Sequence, residues 1–471
     1  MILMDTRKAS PPSPAPAASA RIRKLNRKEP VEGDFVLYWM QQSQRAEGND
    51  ALEYAIRKAN LMDIPVVVAF GLTANYPEAN LRHYVFMLEG LREVGRKLRA
   101  RNIRFVVQHG QPPDVALRLG RHATAIVCDR GYLTHQKEWR AEVARRAKCA
   151  VEEVECDAIV PVGLVSEKRE AAARTFRPRV SKLAGSFLRR LPAARPAVPS
   201  ADFPLGSLDL NDEGSVLARL SIDTSVKPVP HFTGGTDEAK KRLAEFIRRR
   251  LTGYGENRGR PETDNVSQMS PYLHFGQVSP VYIARKISEQ EAKAPDDCRQ
   301  YLDELIVSRE LSFHFVHHTP DYDRFSSIPE WARATLKKHA NDKRGYLYGR
   351  NELEAGKTHD PYWNAAMEEM KATGYMHNHM RMYWGKQILA WSAAPEEAFA
   401  TALALNNKYF LDGRDPNSYA NIGWIFGLHD RPWPERPVFG TVRSMTAGGL
   451  ERKTRPDEYV KKVARLTELS D

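Results

Sequence analysis

The chain is predicted to be an α/β protein, a doubly wound parallel sheet followed by an all-helical domain. Three observations carry this. From Asp34 to about Val162, short apolar runs alternate with amphipathic stretches. After Thr236 the apolar residues recur only at helical spacing, and the stretch between is rich in Lys, Arg, Pro, Ala, Gly and Ser. Repeated strand-helix alternation places parallel strands side by side with helices on both faces, a Rossmann-like layering.

Taken in order, residues 1–30 read as a disordered basic, Pro-rich tail, because Ser10 to Ala20 lacks the apolar core of a signal peptide. Residues 31–163 hold the sheet. Phe35 to Met40 is its first strand, followed by a helix from Asp50; Ile64 to Gly71 is the second, followed by a helix through Leu81 to Arg101. Ile103 to Gln108, Ala125 to Cys128 and Val151 to Val160 continue the strands, with helices at Asp114 to His122 and Lys137 to Lys148. No GxGxxG follows the first strand and no GxxxxGK[ST] occurs, so neither a standard dinucleotide site nor a P-loop is supported. Residues 164–235 read as a long interdomain connection. Residues 236–471 form the helical domain, with Leu243, Phe246, Ile247 and Leu251 on one face and further helices at Tyr301 to Phe315, Trp363 to Thr373 and Met376 to Trp391.

With 471 residues and 42% hydrophobic content, two or three domains can each bury a core. Apolar runs such as Ile64 to Phe70 fall well short of the roughly 18 residues of a membrane span. The four cysteines, Cys128, Cys149, Cys156 and Cys298, form no CxxC pair, so neither zinc nor a disulfide framework is suggested and a reducing cytoplasm fits. A net charge of +12 points to a polyanion, with nucleic acid the leading partner, although many enzymes are moderately basic. HExxH, GxSxG and zinc-deaminase signatures are absent. His377 and His379, at i and i+2, would lie on opposite sides of a helix, and no metal is expected.

Three of the eight tryptophans, Trp363, Trp384 and Trp391, fall in one short segment that also contains Gly374 to Met382. On a helix Trp384 and Trp391 would share a face about 10 Å apart. Such a pair can relay an electron, and it is equally the spacing of two core aromatics.

Four strings occur in order: Ser267 to Gly276 (SQMSPYLHFG), Glu304 to Leu311 (ELIVSREL), Tyr375 to Lys386 (YMHNHMRMYWGK) and Leu411 to Asn417 (LDGRDPN). Together they resemble the photolyase/cryptochrome family, most closely the class II cyclobutane pyrimidine dimer photolyases, over about Phe35 to Arg443. The resemblance implies a helical domain that buries FAD, active as FADH−, and an α/β domain able to hold an antenna chromophore of unspecified identity. It implies Tyr254, Ser267, Gln268, Met269, Ser270, Arg309, Arg381, Asp412 and Asp415 at the cofactor, with Asn406 facing flavin N5. An amide suits that place, since its oxygen accepts from a protonated N5 and its NH2 donates to an unprotonated one. Taken alone, Ser270 before Pro271 is a plain helix cap, Arg309 in Ser308-Arg309-Glu310 a surface ion pair, and Asn406-Asn407 a helix-terminating pair.

The same resemblance places Glu304, Asn378, Met382 and Trp424 around a flipped-out pyrimidine dimer, and Arg258, Arg431, Trp433 and Arg443 at the DNA-facing rim, where Arg260 is an alternative to Arg258. Alone, Met382 is helix core and Glu304 a solvated helix position. Ser308 stands where some photolyases place a tryptophan against the lesion. Trp384 would lie nearest the flavin, Trp363 between, and Trp391 at solvent. The implied partner is double-stranded DNA containing pyrimidine dimers, acted on by a monomer in the cytoplasm, at the nucleoid in a bacterium. A cryptochrome-type photoreceptor or a 6-4 photolyase would share much of this pattern; the lesion-pocket residues argue against the first and the class II strings against the second.

Overall fold

The computed structural model describes residues 18–189 and 191–468. Its six-stranded sheet has the order β1-β6-β5-β2-β3-β4, from β1 (Ile22–Lys24), β2 (Phe35–Met40), β3 (Val66–Leu72), β4 (Arg104–His109), β5 (Ala123–Asp129) and β6 (Ala150–Val154). Strands β2 to β6 pair in parallel. The chain winds outward from β2 first through β3 and β4, then through β5 and β6, so the sheet is doubly wound. Every residue of β2, β3 and β5 is buried, which is why they read as continuous apolar runs. Helices α1 (Asp50–Leu61) and α2 (Leu81–Ala100) cover one face, packing Ile56 and Leu91 against Val36 and Tyr38. Helices α3 (Pro112–Leu119) and α4 (Thr134–Arg146) cover the other, packing Val115 and Val143 against Leu37 and Trp39.

Part of the expected tail is ordered sheet. Ile22 to Lys24 pairs antiparallel with β6, anchored by Arg21, whose guanidinium donates to the carbonyls of Glu155, Ala158 and Ile159. Three residues flanked by cations carry no readable alternation. Residues 1–17 lie outside the described residues. The expected interdomain connection is also packed structure. Its helix α5 (Ala173–Phe187) buries Phe176 and Val180 in the helical domain's core, and Leu208 donates its N-H to the carbonyl of Val107 on β4.

The helices that build the site are α6 (Thr236–Arg249), α7 (Ser270–His274), α8 (Pro295–Leu302), α9 (Arg309–His318), α10 (Pro361–Thr373), α11 (Asn378–Trp391), α12 (Pro395–Tyr409), α13 (Pro416–Ile425) and α14 (Pro456–Glu468). Between α8 and α9, Asp303–Ser308 forms a π-helical turn, where the expectation was one continuous helix; such wide turns gather at functional sites.

The two layers meet at the loop after β2. Asp129 accepts the N-H groups of Gln41, Gln42 and Ser43, and Arg45 then reaches across to the carbonyl of Gly276 at 2.8 Å. A Cβ at Gly276, whose φ is +63°, would stand 2.0 Å from the Gln42 carbonyl oxygen, so close approach and backbone sign both require glycine there.

Candidate functional site

A cavity in the helical domain is walled by Ser270, Arg309, Asn378, Arg381, Asp412 and Asp415. Arg381, in the first turn of α11, meets Asp412 through two contacts of 3.0 Å, Nη1 to Oδ1 and Nη2 to Oδ2. Its Nε donates to the Met376 carbonyl, and its Cζ lies 3.9 Å from the Phe410 ring centroid. The guanidinium is thereby fixed. An ion pair this buried adds little net stability, so its value lies in orientation. Asp415 caps α13 by accepting the N-H of Asn417. Burial pushes its carboxyl up, but His274, with Nδ1 at 3.2 Å, and neighbouring Arg309 more than offset this and leave it below the ordinary range.

Arg309 is 5% exposed, which excludes a surface ion pair. Its Nη1 donates to the Asp157 carbonyl at 2.7 Å, Phe313 packs on its face, and Nη2 has no partner in the protein. A buried cation with an orphaned N-H, lining the same cavity as Ser270, fits a phosphate. Glu310 turns the other way, accepting the N-H groups of Ile159 and Val160, and burial pushes its carboxyl up to about 8. Ser270 is the first residue of α7 and not its cap, a position that Met269 occupies.

Other expected cofactor residues are committed to protein partners. Ser267 accepts from the Tyr301 hydroxyl at 2.8 Å. Gln268, with φ +53°, has its amide oxygen 3.3 Å from both His231 and Arg242. Met269 is buried. Tyr254 packs on Phe246 and Tyr301, and burial raises its hydroxyl to about 12. Asn406 is buried in the last turn of α12 and donates to Asn407 Oδ1.

Glu304 sits on the π-helical turn, half-buried, and pairs with Arg258. Arg260 lies on the outer side, near Glu256 at 3.4 Å. Asn378 opens α11 and is exposed, while Met382, one turn on, is half-buried, as is Trp424. His377 caps that helix, its Nδ1 accepting the N-H of His379. Trp424 and Trp433 lie in a cationic cluster: Lys386 and Arg443 approach the Trp424 ring at 5.1 and 5.7 Å, and Arg443 and Arg431 approach Trp433 at 4.7 and 5.5 Å.

Trp363, from α10, lies between the two tryptophans of α11. Its ring stacks on Trp384 at 6.5 Å and 10°, and meets Trp391 edge-on at 5.7 Å. Trp384 also meets Phe410, the ring under Arg381, which connects this run to the cavity. Trp391 does not face solvent as expected. It is 6% exposed, covered by Tyr348 at 5.5 Å and His359 at 5.1 Å, and Tyr346, which is 50% exposed, stacks on His359. The covering residues flank a short helix upstream, Arg350–Ala355, and are invisible to helical spacing.

A second cavity lies on the seam between the layers, bounded by Gln41, Tyr76, His83, Trp139, His274 and Arg414. Arg414 is 2% exposed, its Nε has no partner in the protein, and both amide atoms of Gln41 are likewise unpartnered. Sequence reasoning missed Arg414 and the buried Lys386, although both fall inside the quoted strings.

A doubly wound sheet joined to a helical domain, with a phosphate-ready cavity in the second, is the architecture of a two-domain flavoprotein. The comparisons say which one. Residues 36–199 match the DNA photolyase model and residues 301–390 the FAD binding domain of DNA photolyase. The chain is 46% identical to the deoxyribodipyrimidine photo-lyase of Methanothermobacter thermautotrophicus over 95% of this chain and 98% of that one. It is 36% identical to that of Arabidopsis thaliana over 96% and 93%. A Sulfolobus tokodaii photolyase structure with two FAD molecules shares the fold with a TM-score of 0.67 at 18% identity, covering 91% of this chain and 89% of that one. The chain belongs to the DNA photolyase family. It is a lyase and a flavoprotein, with FAD as its cofactor. Among the described residues, no helix is long and apolar enough to cross a membrane.

Proposed function

We propose that this chain is a class II cyclobutane pyrimidine dimer photolyase that repairs DNA with blue light. The observation that carries the reading is what α11 brings together: Asn378 and Arg381 in the cavity wall, and Trp384 at the head of the run of tryptophan rings. FAD, when bound in its fully reduced form, would supply the light-driven one-electron chemistry by which the two cyclobutane bonds open and the electron is recovered. Arg309 and Ser270 hold the phosphates, Tyr254 and Ser267 to Met269 close that side, and Asp415 steadies α13 beneath it. Arg381, paired with Asp412, would orient the ring system, and Asn406 would face N5.

Because adjacent bases are stacked in the duplex, the lesion is flipped out to be reached, which is easiest at a damaged step. Glu304 hydrogen-bonds the pyrimidine edges, Asn378 lies beside them, Met382 gives an apolar wall and Trp424 a stacking face. Arg258, Arg431, Trp433 and Arg443 hold the backbone at the rim. Trp384, Trp363 and Trp391 recharge the cofactor and take no part in opening the ring. Residues 31–163 serve as the antenna layer, whose seam cavity accepts a second chromophore, and residues 236–471 as the catalytic domain, joined through 164–235. The protein works as a monomer in the cytoplasm or at the nucleoid.

The test is to incubate the reduced protein with thymine-dimer DNA under blue light and in the dark. Dimers are expected to disappear only in the light; equal dimer content in both samples would sink the reading.

A further inference from the structure

The neighbours of Asn406 make the two ends of its amide unequal. Asn406 Nδ2 donates to Asn407 Oδ1 at 2.9 Å. The same oxygen accepts the backbone N-H of Arg414 at 3.0 Å, and Asn407 Nδ2 donates to a Glu78 carboxylate oxygen at 2.6 Å. The polarity of this relay follows from its fixed ends. A backbone N-H can only donate and a carboxylate, when ionised, can only accept, so Asn407 must turn its oxygen to Arg414 and its NH2 to Glu78. Against that oxygen Asn406 can only donate, and its own Oδ1 is the end left for a ligand.

The backbone is shaped for this arrangement. Arg414 has φ +63°, a sign few side chains adopt. A Cβ on Gly413 would come within 2.9 Å of the carbonyl oxygens of Asn406 and Phe410, so the turn closes only with glycine. Asn407 is fully buried, and its bonds to Asn406 and Arg414 are shielded from water. Glu78 reaches it from the α/β layer, on the exposed turn between β3 and α2.

We infer that Asn407 and Glu78 are positioning residues that hold Asn406 as a hydrogen-bond acceptor, favouring flavin with a proton on N5. This rests on the assignment of Asn406 to N5 made above. Asn407→Leu removes the oxygen that commits Asn406, freeing its amide to rotate and donate to an unprotonated N5.

The test is a spectroelectrochemical titration of the FAD-loaded full chain in the dark. In N407L the ratio of reduced to oxidised flavin at a fixed potential is expected to fall about tenfold, the effect of roughly one hydrogen bond, or about 30 mV for two electrons. In the exchanged pair N407D/E78Q an Asp oxygen accepts from Asn406 and Arg414 while the Gln NH2 donates back to it, and the wild-type midpoint is expected to return. A shift in Asn406→Leu with none in N407L overturns the relay, as does an equal shift in N407L and the exchanged pair. No shift in Asn406→Leu removes the N5 assignment itself, a separate failure. If N407L does not retain FAD, Glu78→Ala on its exposed turn carries the test: a shift of the same sign is expected, and an unchanged midpoint overturns the proposal.

Discussion

Two groups of tryptophans stand within one helical domain in opposite surroundings. Trp384, Trp363 and Trp391 are buried at 1%, 0% and 6% exposure, touching one another, Phe410 and the Met367 sulfur. Among the described residues no Lys or Arg lies over any of these three rings. Trp424 and Trp433 are half-buried and flanked by the guanidinium groups of Arg431 and Arg443. A cation beside a ring disfavours removing an electron from it, because the positive hole left behind is repelled. The same cation strengthens a surface that must meet bases and phosphates. The neighbours, and not the residue type, divide the tryptophans into rings able to carry charge and rings able to hold a strand.

The largest expected break in that division comes from Trp384→Phe. Light-driven reduction of oxidised FAD with an external donor is expected to be abolished, while protein reduced chemically beforehand still repairs dimers. Retained photoreduction would remove the charge-carrying role. Replacing so large a buried ring also costs roughly 1 to 3 kcal/mol of stability, so a melting curve belongs beside the optical assay.

Lys386 sharpens the comparison next. It is fully buried between Trp424 and the Ile425 carbonyl, and burial lowers its ammonium to about 7. Above pH 7 the folded protein sheds this proton, whereas the unfolded chain keeps it until about pH 10.5. The unfolded state then binds more protons, so the site's contribution to stability rises with pH across that window, and the cost of the buried charge is fully present below it. Lys386→Met should remove that slope, amounting to about 3 to 5 kcal/mol between pH 7 and 10.5. Denaturant midpoints of both proteins at pH 6 and pH 9 provide the check, and parallel pH profiles would contradict it.

Which parts of this were legible in the sequence depends on the range of the interactions. Strands β2, β3 and β5 were legible because burial on both faces writes itself as apolar runs. Arg381 and Asp412 stood in recognisable strings, and the fold brings them together across 31 residues. The π-helical turn was not legible, because side chains over six residues read alike at 3.6 and at a wider period. Nor was the burial of Trp391, whose covering residues Tyr348 and His359 are brought to it by tertiary contact, nor the relay from Glu78 to Asn407, which spans the two layers.

The smallest effect separates a ring-flanking arginine from a solvated one. Arg258 is turned inward to Glu304, while Arg260 is exposed beside Glu256. Arg443, by contrast, lies against both Trp424 and Trp433. On the proposed reading Arg443 holds a phosphate, so Arg443→Ala, which also removes the cation over both rings, should lower affinity for dimer-containing duplex about tenfold and reduce the salt-dependence slope by roughly one. Arg260→Ala removes only a solvated charge, and a change of about twofold, equal for damaged and undamaged DNA, is expected. Binding titrations at several salt concentrations check both. If Arg260→Ala costs as much as Arg443→Ala, the rim is a diffuse electrostatic surface and the cation-flanked tryptophans have no special place in it.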